Sequence, residues 1–261
     1  MSEQNFLIFG RNPVIEAIET GTDIDKILIQ KNIEGSGKKA FALAKKAKIP
    51  VQIADKFVLD KTAGGGAHQG VIAYLAEYTY ASVDEIFARA ESKGEAVFLI
   101  LLDGIEDPHN LGAIIRSAEC AGAHGIVIPN RRAAAVTGAA MKASAGAALH
   151  IPVARVTNIA SAIDVLKDRG VWIYGLDMNG EHYATKNYDG AAALVVGSEG
   201  RGISRIVREK CDFVLSIPMR GRTGSLNASN AAAIALFEMS RKLFPEGVSA
   251  DRRQDEKWFK A

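Results

Sequence analysis

Five short, almost unbroken apolar runs dominate the last two thirds of the chain: AVFLILLD (96–103), GIVI (125–128), VWIYGL (171–176), ALVVG (193–197) and DFVLSIP (212–218). A strand that is apolar at every position is covered on both faces, unlike one that alternates and turns one face to water. Between the runs lie helical patterns at 110–122, 136–148, 160–168, 204–210 and 226–243. This alternation predicts an α/β domain built on a largely parallel sheet. Ligands in such sheets collect at the carboxyl ends of strands. Three polar, glycine-containing segments follow strands there: DGIEDPHNLGAIIRSAE after the first run, GSEGRGIS after the fourth and MRGRTGSLNAS after the fifth.

Residues 1–78 have a different rhythm and are expected to form a smaller α/β domain. A helical pattern runs from Pro13 to Thr20, followed by a strand DKILIQ, a lysine-bearing helix GKKAFALAKKAK and a strand PVQIA. The glycine run Gly64 to Gly66 reads as a mobile loop before HQGVIAYL. Ser82 and Glu85 have capping-box spacing, which predicts a short helix ended by Gly94. Residues 79–95 therefore read as a linker, 96–245 as the second domain and 246–261 as a charged, loosely ordered tail. At 261 residues the chain is long enough for both domains to bury a core. A net charge of +2 neither requires nor excludes a nucleic-acid partner. The N-terminus lacks a signal peptide's features, and no apolar run approaches the ~20 residues of a membrane span. A cytoplasmic protein without a membrane partner is the expectation. Cys120 and Cys211 lack a CxxC or histidine partners at ligand spacing, so both read as buried thiols and no metal site is expected.

The glycines of GSEGRGIS, Gly197, Gly200 and Gly202, are spaced GxxGxG rather than GxGxxG, and no acidic residue follows at the distance a ribose would need. A nicotinamide dehydrogenase is poorly supported. The segment is either a plain strand-to-helix turn or a loop that packs closely on a ligand, with Glu199 as its carboxylate. In the first segment Asn110 is predicted to cap a helix whose buried stripe is Leu111, Ile114, Ile115 and Ala118. Arg116 lies off that stripe, near the small residues Gly112, Ala113 and Cys120, which leave room for a backbone or a phosphate; alone it reads as a surface or salt-bridge residue. His109, beside an Asp-Pro turn, reads as structural rather than as an acid or base. In the third segment Pro218 ends a strand, Gly221 and Gly224 permit bends, and Ser225, Asn227 and Ser229 could each cap the next helix. Capping needs only one of them.

In this order and spacing the three segments resemble the three motifs of the SpoU/TrmH family of RNA ribose 2′-O-methyltransferases. FGRNPVIEAI and HQGVIA resemble the N-terminal domain, of the ribosomal protein L30e type, found in the branch that methylates a guanosine of 23S rRNA. The resemblance spans nearly the whole chain. It implies a trefoil-knotted, parallel-sheet catalytic domain, an L30e-like RNA-binding domain at 1–78, a homodimer with its active site near the subunit interface, and S-adenosylmethionine as cofactor. By motif match Gly197, Ile217 and Leu226 would contact the cofactor, largely through backbone groups, with Met219 and Gly221 in the same wall. Arg116 would be a general base, if its neutral form is favoured, or would orient the ribose hydroxyl and a phosphate. Asn110, Glu199 and Asn227 would hold the arginine and the ribose, and Ser225 would support the cofactor or the nucleophile. Arg11, Lys38, Lys39, Arg220 and Arg222 would meet RNA, although the lysines also suit a solvated helix face. The expected partner is 23S rRNA or a large-subunit precursor. A tRNA substrate is the alternative, disfavoured by the separate N-terminal domain. A non-catalytic ribosomal RNA-binding protein is disfavoured by the joint presence of Arg116, Glu199, Ser225 and Asn227.

Overall fold

A computed structural model describes residues 7–22, 24–75, 78–222 and 224–245, so the C-terminal tail lies outside the described residues. The chain divides into two compact units, Met1–Thr79 and Tyr80–Ala261. In the first, successive residues of IDKILIQ point to opposite faces of a sheet, Ile27 and Ile29 to one and Leu28 to the other. This strand, β2 (Ile24–Gln30), pairs in parallel with β3 (Val51–Ala54) and antiparallel with β4 (Val71–Leu75), which pairs with β1 (Leu7–Phe9). Helices α1 (Arg11–Glu19) and α2 (Ser36–Lys46) cover the Ile27 and Ile29 face with Val14, Ile15, Ala40 and Ala44. Leu28 packs with Leu59 and Ala63 of α3 (Lys56–Ala63). Neither β1 nor α3 is legible as a pattern: three residues are too few for a period, and α3 buries only Leu59 and Ala63. The glycine run expected to be a mobile loop is instead a helix terminus. Gly64 takes a left-handed φ of 54° that closes α3, and the Gly66 N–H donates to the Ala63 carbonyl at 2.9 Å.

In the second unit the strands are β5 (Phe98–Asp103), β6 (Gly125–Pro129), β7 (Val153–Val156), β8 (Trp172–His182), β9 (Ala192–Gly197) and β10 (Phe213–Ser216). They pair in parallel throughout, in the order β10-β8-β9-β5-β6-β7. One face packs Leu99, Leu101, Val127, Ile173 and Val195 against α4 (Val83–Ser92), α7 (Ile159–Asp168) and α8 (Arg205–Lys210). On the other, α5 (Pro108–Cys120) packs on β6, α9 (Ala228–Leu243) packs on β9, and the two helices pack together. From β5 the chain builds outward through β6 and β7, then crosses to the far side for β8, β9 and β10. The reversal opens a crevice between the carboxyl ends of β5 and β9, where Asp103 lies opposite Gly197.

Several local expectations are corrected. Residues 79–95 are not a free linker: Ser82 makes its capping box with Glu85, but Ile86 and Ala90 of α4 are core residues of the second unit, and Ala81 forms a parallel bridge to Ala154. Asn110 is not the cap of α5. Asp107 accepts from the His109 N–H at 3.0 Å and Pro108 occupies the first turn, which frees the Asn110 side chain for other work. The helix expected over 136–148 is broken into α6 (Gly138–Ala143) and a 3-10 turn, because Ala145 and Gly146 both take positive φ. The room beside Gly112 is filled by α6: a Cβ there would stand 2.5 Å from the Ala140 carbonyl oxygen. Cys120 is exposed rather than buried, since it lies one turn beyond Arg116 on the same outward face of α5. Cys211 is half-buried, and burial pushes its thiol up to about 12. The third apolar run continues past Leu176. β8 pairs with β10 up to Gly175 and resumes at Glu181, so residues 176–180 bulge out of the pairing.

Beside β5, His124 is fully buried between Nδ1, which accepts from the Phe98 N–H at 3.0 Å, and Nε2, which donates to Glu95 at 2.9 Å. Its position between two fixed partners makes it neutral with the proton on Nε2. Burial lowers its pKa, outweighing the opposing pull of Glu95. The unfolded chain therefore binds the extra proton more readily, and stability falls as pH drops below about 6.5. Chemical denaturation at neutral pH and near pH 5 is expected to show this loss in the wild type. His124→Gln is expected to lower stability at neutral pH and to flatten the acid-side loss; an unchanged pH slope in the variant would assign it elsewhere.

Candidate active site

The loop after β9 is built to stand in the crevice. Ser198 and Gly202 exchange backbone hydrogen bonds of 3.1 and 2.9 Å, Gly200 and Gly202 take φ of 79° and 65°, and the Ser204 N–H donates to Asp103 Oδ2 at 2.7 Å. The tight turn presses Gly202 and Ile203 back onto Gly197, where a Cβ would meet backbone atoms at 2.0 to 2.2 Å. Only glycine fits at 197 for this reason. The turn's tip presents Glu199.

Three distant segments converge on that carboxylate. Asn110 Nδ2, from the first turn of α5, donates to Glu199 Oε1 at 3.0 Å. Asn227 Nδ2 donates to the same oxygen and to Asn110 Oδ1, the latter at 3.0 Å. Asn227 is also the cap of α9, its Oδ1 accepting from the Ser229 N–H at 2.9 Å and from Ser229 Oγ at 2.6 Å. Capping turns the amide oxygen of Asn227 toward the helix, so its NH2 group must face Glu199. The surplus of caps is thus partitioned: Asn227 caps α9, Ser229 reinforces it, and Ser225 remains at the rim of the adjoining cleft.

That cleft has a volume of about 790 Å³. Ile217, Met219 and Leu226 supply apolar surface, the Gly197 to Gly202 turn forms one side, and the β8 bulge contributes Leu176 to Asn179. Asp177 and Arg208 pair there at 3.6 Å, and Arg208 also donates to the Asn179 carbonyl at 2.8 Å. Of the residues predicted from sequence, Gly197, Glu199, Ile217, Met219, Ser225 and Leu226 line the cleft, with Asn110 and Asn227 bonded at its margin. Gly221, Arg220 and Arg222 are exposed and do not line it. Nor does Arg116, which is exposed on α5. Six residues along a helix place it about 120° around the axis and about 9 Å along it from Asn110. In the first unit Arg11 lines a separate polar depression and Lys38 an apolar one, while Lys39 pairs with Glu19 at 3.1 Å. Sequence reasoning missed Asp103, Asp177 and Arg208; the first two carry a legible signal, an acid at or just beyond the end of an apolar strand, whereas Arg208 in α8 carries none.

S-adenosylmethionine, the cofactor the motifs imply, fits this cleft. Its volume lies within the ~300–1,000 Å³ usual for small-ligand sites, and its wall of Ile217 and Leu226 suits a nucleoside. Gly197 lets backbone stand where a side chain would intrude. Gly197→Ala is expected to displace the turn and weaken calorimetric S-adenosylmethionine binding by about tenfold or more, the equivalent of ~1.4 kcal/mol. Wild-type affinity in that variant would remove the turn from the cofactor site. Among the described residues there is no cluster of three metal-ligating side chains, and no helix is long and apolar enough to cross a membrane.

Fold and cleft together define a parallel-sheet α/β protein with a small-ligand site at the carboxyl ends of its strands. Residues 97–237 match the SpoU rRNA methylase family, and residues 7–81 match the substrate-binding domain of RNA 2′-O ribose methyltransferases. The chain is 45% identical over 250 residues to a Bacillus subtilis protein that carries the name of a TrmH family tRNA/rRNA methyltransferase, YacO, covering 95% of this chain and all of that one. A Staphylococcus saprophyticus protein named for the same family is 45% identical over 241 residues, 92% of this chain and 96% of its own. Among solved structures, the SpoU methyltransferase AviRb from Streptomyces viridochromogenes in complex with AdoMet superposes with a TM-score of 0.64 at 27% identity, covering 91% of this chain and 90% of that one. The AdoMet-bound rRNA methyltransferase from Sinorhizobium meliloti does so with a TM-score of 0.67 at 25% identity, covering 92% and 88%. The chain belongs to the SpoU/TrmH family of RNA methyltransferases.

Proposed function

We propose that the protein transfers a methyl group from S-adenosylmethionine to a ribose 2′-hydroxyl of 23S rRNA, at a guanosine, and works as a cytoplasmic homodimer whose catalytic domain carries the family's trefoil knot. The observation that carries this reading is the convergence of Asn110, Glu199 and Asn227 beside the cleft. Bound S-adenosylmethionine supplies an electrophilic methyl group on a sulfonium. The chain's own task is to place the ribose oxygen in line with that methyl and to help its proton leave. Among the described residues the hydrogen bonds to Glu199 fall on Oε1, and in this reading Oε2 accepts a hydrogen bond from the 2′-hydroxyl. The second N–H of Asn110 can donate to the same ribose, and Ser225 stands at the cleft rim to support the nucleophile or the cofactor.

Arg116 grips the hydroxyl or its neighbouring phosphate. It stands outside the cleft of its own chain, so in this reading the second copy of the homodimer supplies it. Arg220 and Arg222, exposed between β10 and α9, meet RNA phosphates rather than the cofactor, which has none. Mapping 2′-O-methylation in 23S rRNA and tRNA from cells with and without the gene tests the substrate. A 23S guanosine that loses its methyl group is the expected result; a loss confined to tRNA would transfer the assignment to the alternative, and no change at any ribose would overturn it.

A further inference from the structure

Two depressions on the first unit meet at Gln30, the last residue of β2. One, about 350 Å³, is apolar, with Ile33, Phe41 and Ile53 in its lining and Lys31 and Lys38 beside them. The other, about 750 Å³, is polar and includes Arg11, Lys56 and the backbone around Gln69. Phe41 is 37% exposed and Ile53 is 54% exposed, and neither belongs to the two cores of the unit. Their apolar surface therefore contributes little to holding the fold. Lys45 Nζ stands 5.7 Å from the centre of the Phe41 ring, so a cation already lies against that ring.

The polar depression is also ordered. Arg11 Nε donates to the Gln69 carbonyl at 2.9 Å, leaving the terminal nitrogens of the guanidinium to other acceptors. Gln69 holds a φ of 49°, uncommon for a residue with a side chain. Asp60, the acid in this lining, is engaged by His68 Nε2 at 2.8 Å. An exposed aromatic ring with ammonium groups around it, adjoining a guanidinium cleft, matches what a single strand of nucleic acid offers: a flat base to stack and phosphates on either side. A duplex keeps its base faces stacked on each other and leaves such a ring unused.

We propose that the first unit takes an unpaired nucleotide of RNA, its base stacked on Phe41 beside Ile53, its edge met by the Gln30 amide and its flanking phosphates by Lys38 and Arg11. This rests on the reading of the protein as an RNA methyltransferase and names the part of the substrate that the unit selects. The test measures binding of the full-length protein to a short fluorescein-labelled single-stranded RNA and to the same sequence as a blunt duplex, across a salt series. The single strand is expected to bind the more tightly. Phe41→Ala is expected to weaken single-strand binding by about tenfold with its salt slope unchanged. Phe41→Trp is expected to retain wild-type binding, and Arg11→Ala with Lys38→Ala to reduce the salt slope. Equal affinity of the wild type for duplex and single strand, or wild-type binding by Phe41→Ala, would overturn the proposal. Methyl transfer by Phe41→Ala is expected to show a raised KM for RNA with kcat retained. Absence of transfer by the wild-type protein would count against the methyltransferase reading alone, because the binding comparison stands without it.

Discussion

Asn227→Asp is expected to reduce methyl transfer by about 10²- to 10³-fold, the scale of losing one pre-positioned donor at a reacting group, while leaving the thermal midpoint near that of the wild type. Two roles of one side chain separate in this variant. An aspartate oxygen can still accept from the Ser229 N–H, as Asn227 Oδ1 does, so the cap of α9 survives. The NH2 group that binds Glu199 and Asn110 is lost, and a second carboxylate takes its place facing Glu199. Like charges at that distance repel, and Glu199 is driven from its position. Transfer of labelled methyl from S-adenosylmethionine to RNA, alongside a thermal melt followed by circular dichroism, measures both effects. Wild-type turnover in Asn227→Asp would show that the three-residue cluster holds structure only.

Arg116→Ala is expected to lower turnover by about 10²- to 10⁴-fold, the usual contribution of a group that manages a reacting proton or its immediate surroundings, with calorimetric binding of S-adenosylmethionine retained. Binding should persist because Arg116 does not line the cleft. The separation of Arg116 from Asn110 on α5 adds a sharper outcome. If each site takes its arginine from the second copy, mixing Arg116→Ala subunits with Asn227→Asp subunits creates dimers in which one site has every residue intact. Measurable turnover from two nearly inactive variants is the expected result. A mixture as inactive as its parts, under conditions where subunits demonstrably exchange, would return Arg116 to a role within its own chain.

The parallel sheet was legible because strands buried on both faces need apolar residues at every position, a rule that AVFLILLD, GIVI and ALVVG obey, while the edge strand within DFVLSIP is only half-buried. β7 escaped notice because VARV is four residues long and exposes its arginine. The polar end of β8 did so because DMNGEH has no apolar signal to continue the strand. Glu199 and Asn227 were legible as polar residues in surplus of what a turn or a cap needs. Within its own segment Asn110 carries the signal of a cap, and only the motif resemblance sets it beside Glu199 and Asn227; Asp107, three residues earlier, caps the helix instead.

The sequence alone therefore determined the class of fold, the three segments that build the site and the family to which they belong. The first two depend on local periodicity and on residue types at short spacing, and the third on the resemblance of the three motifs taken in order; all of this is written along the chain. Only the tertiary structure decided that Asn110, Glu199 and Asn227 share one carboxylate oxygen's surroundings across separations of 89, 28 and 117 residues. It also decided that Gly197 admits no side chain, that the β8 bulge joins the cleft and that Arg116 stands apart from it. The reason is that contact across such separations depends on strand order and on how each helix is rotated against the sheet, and neither is set by the residues of any one segment.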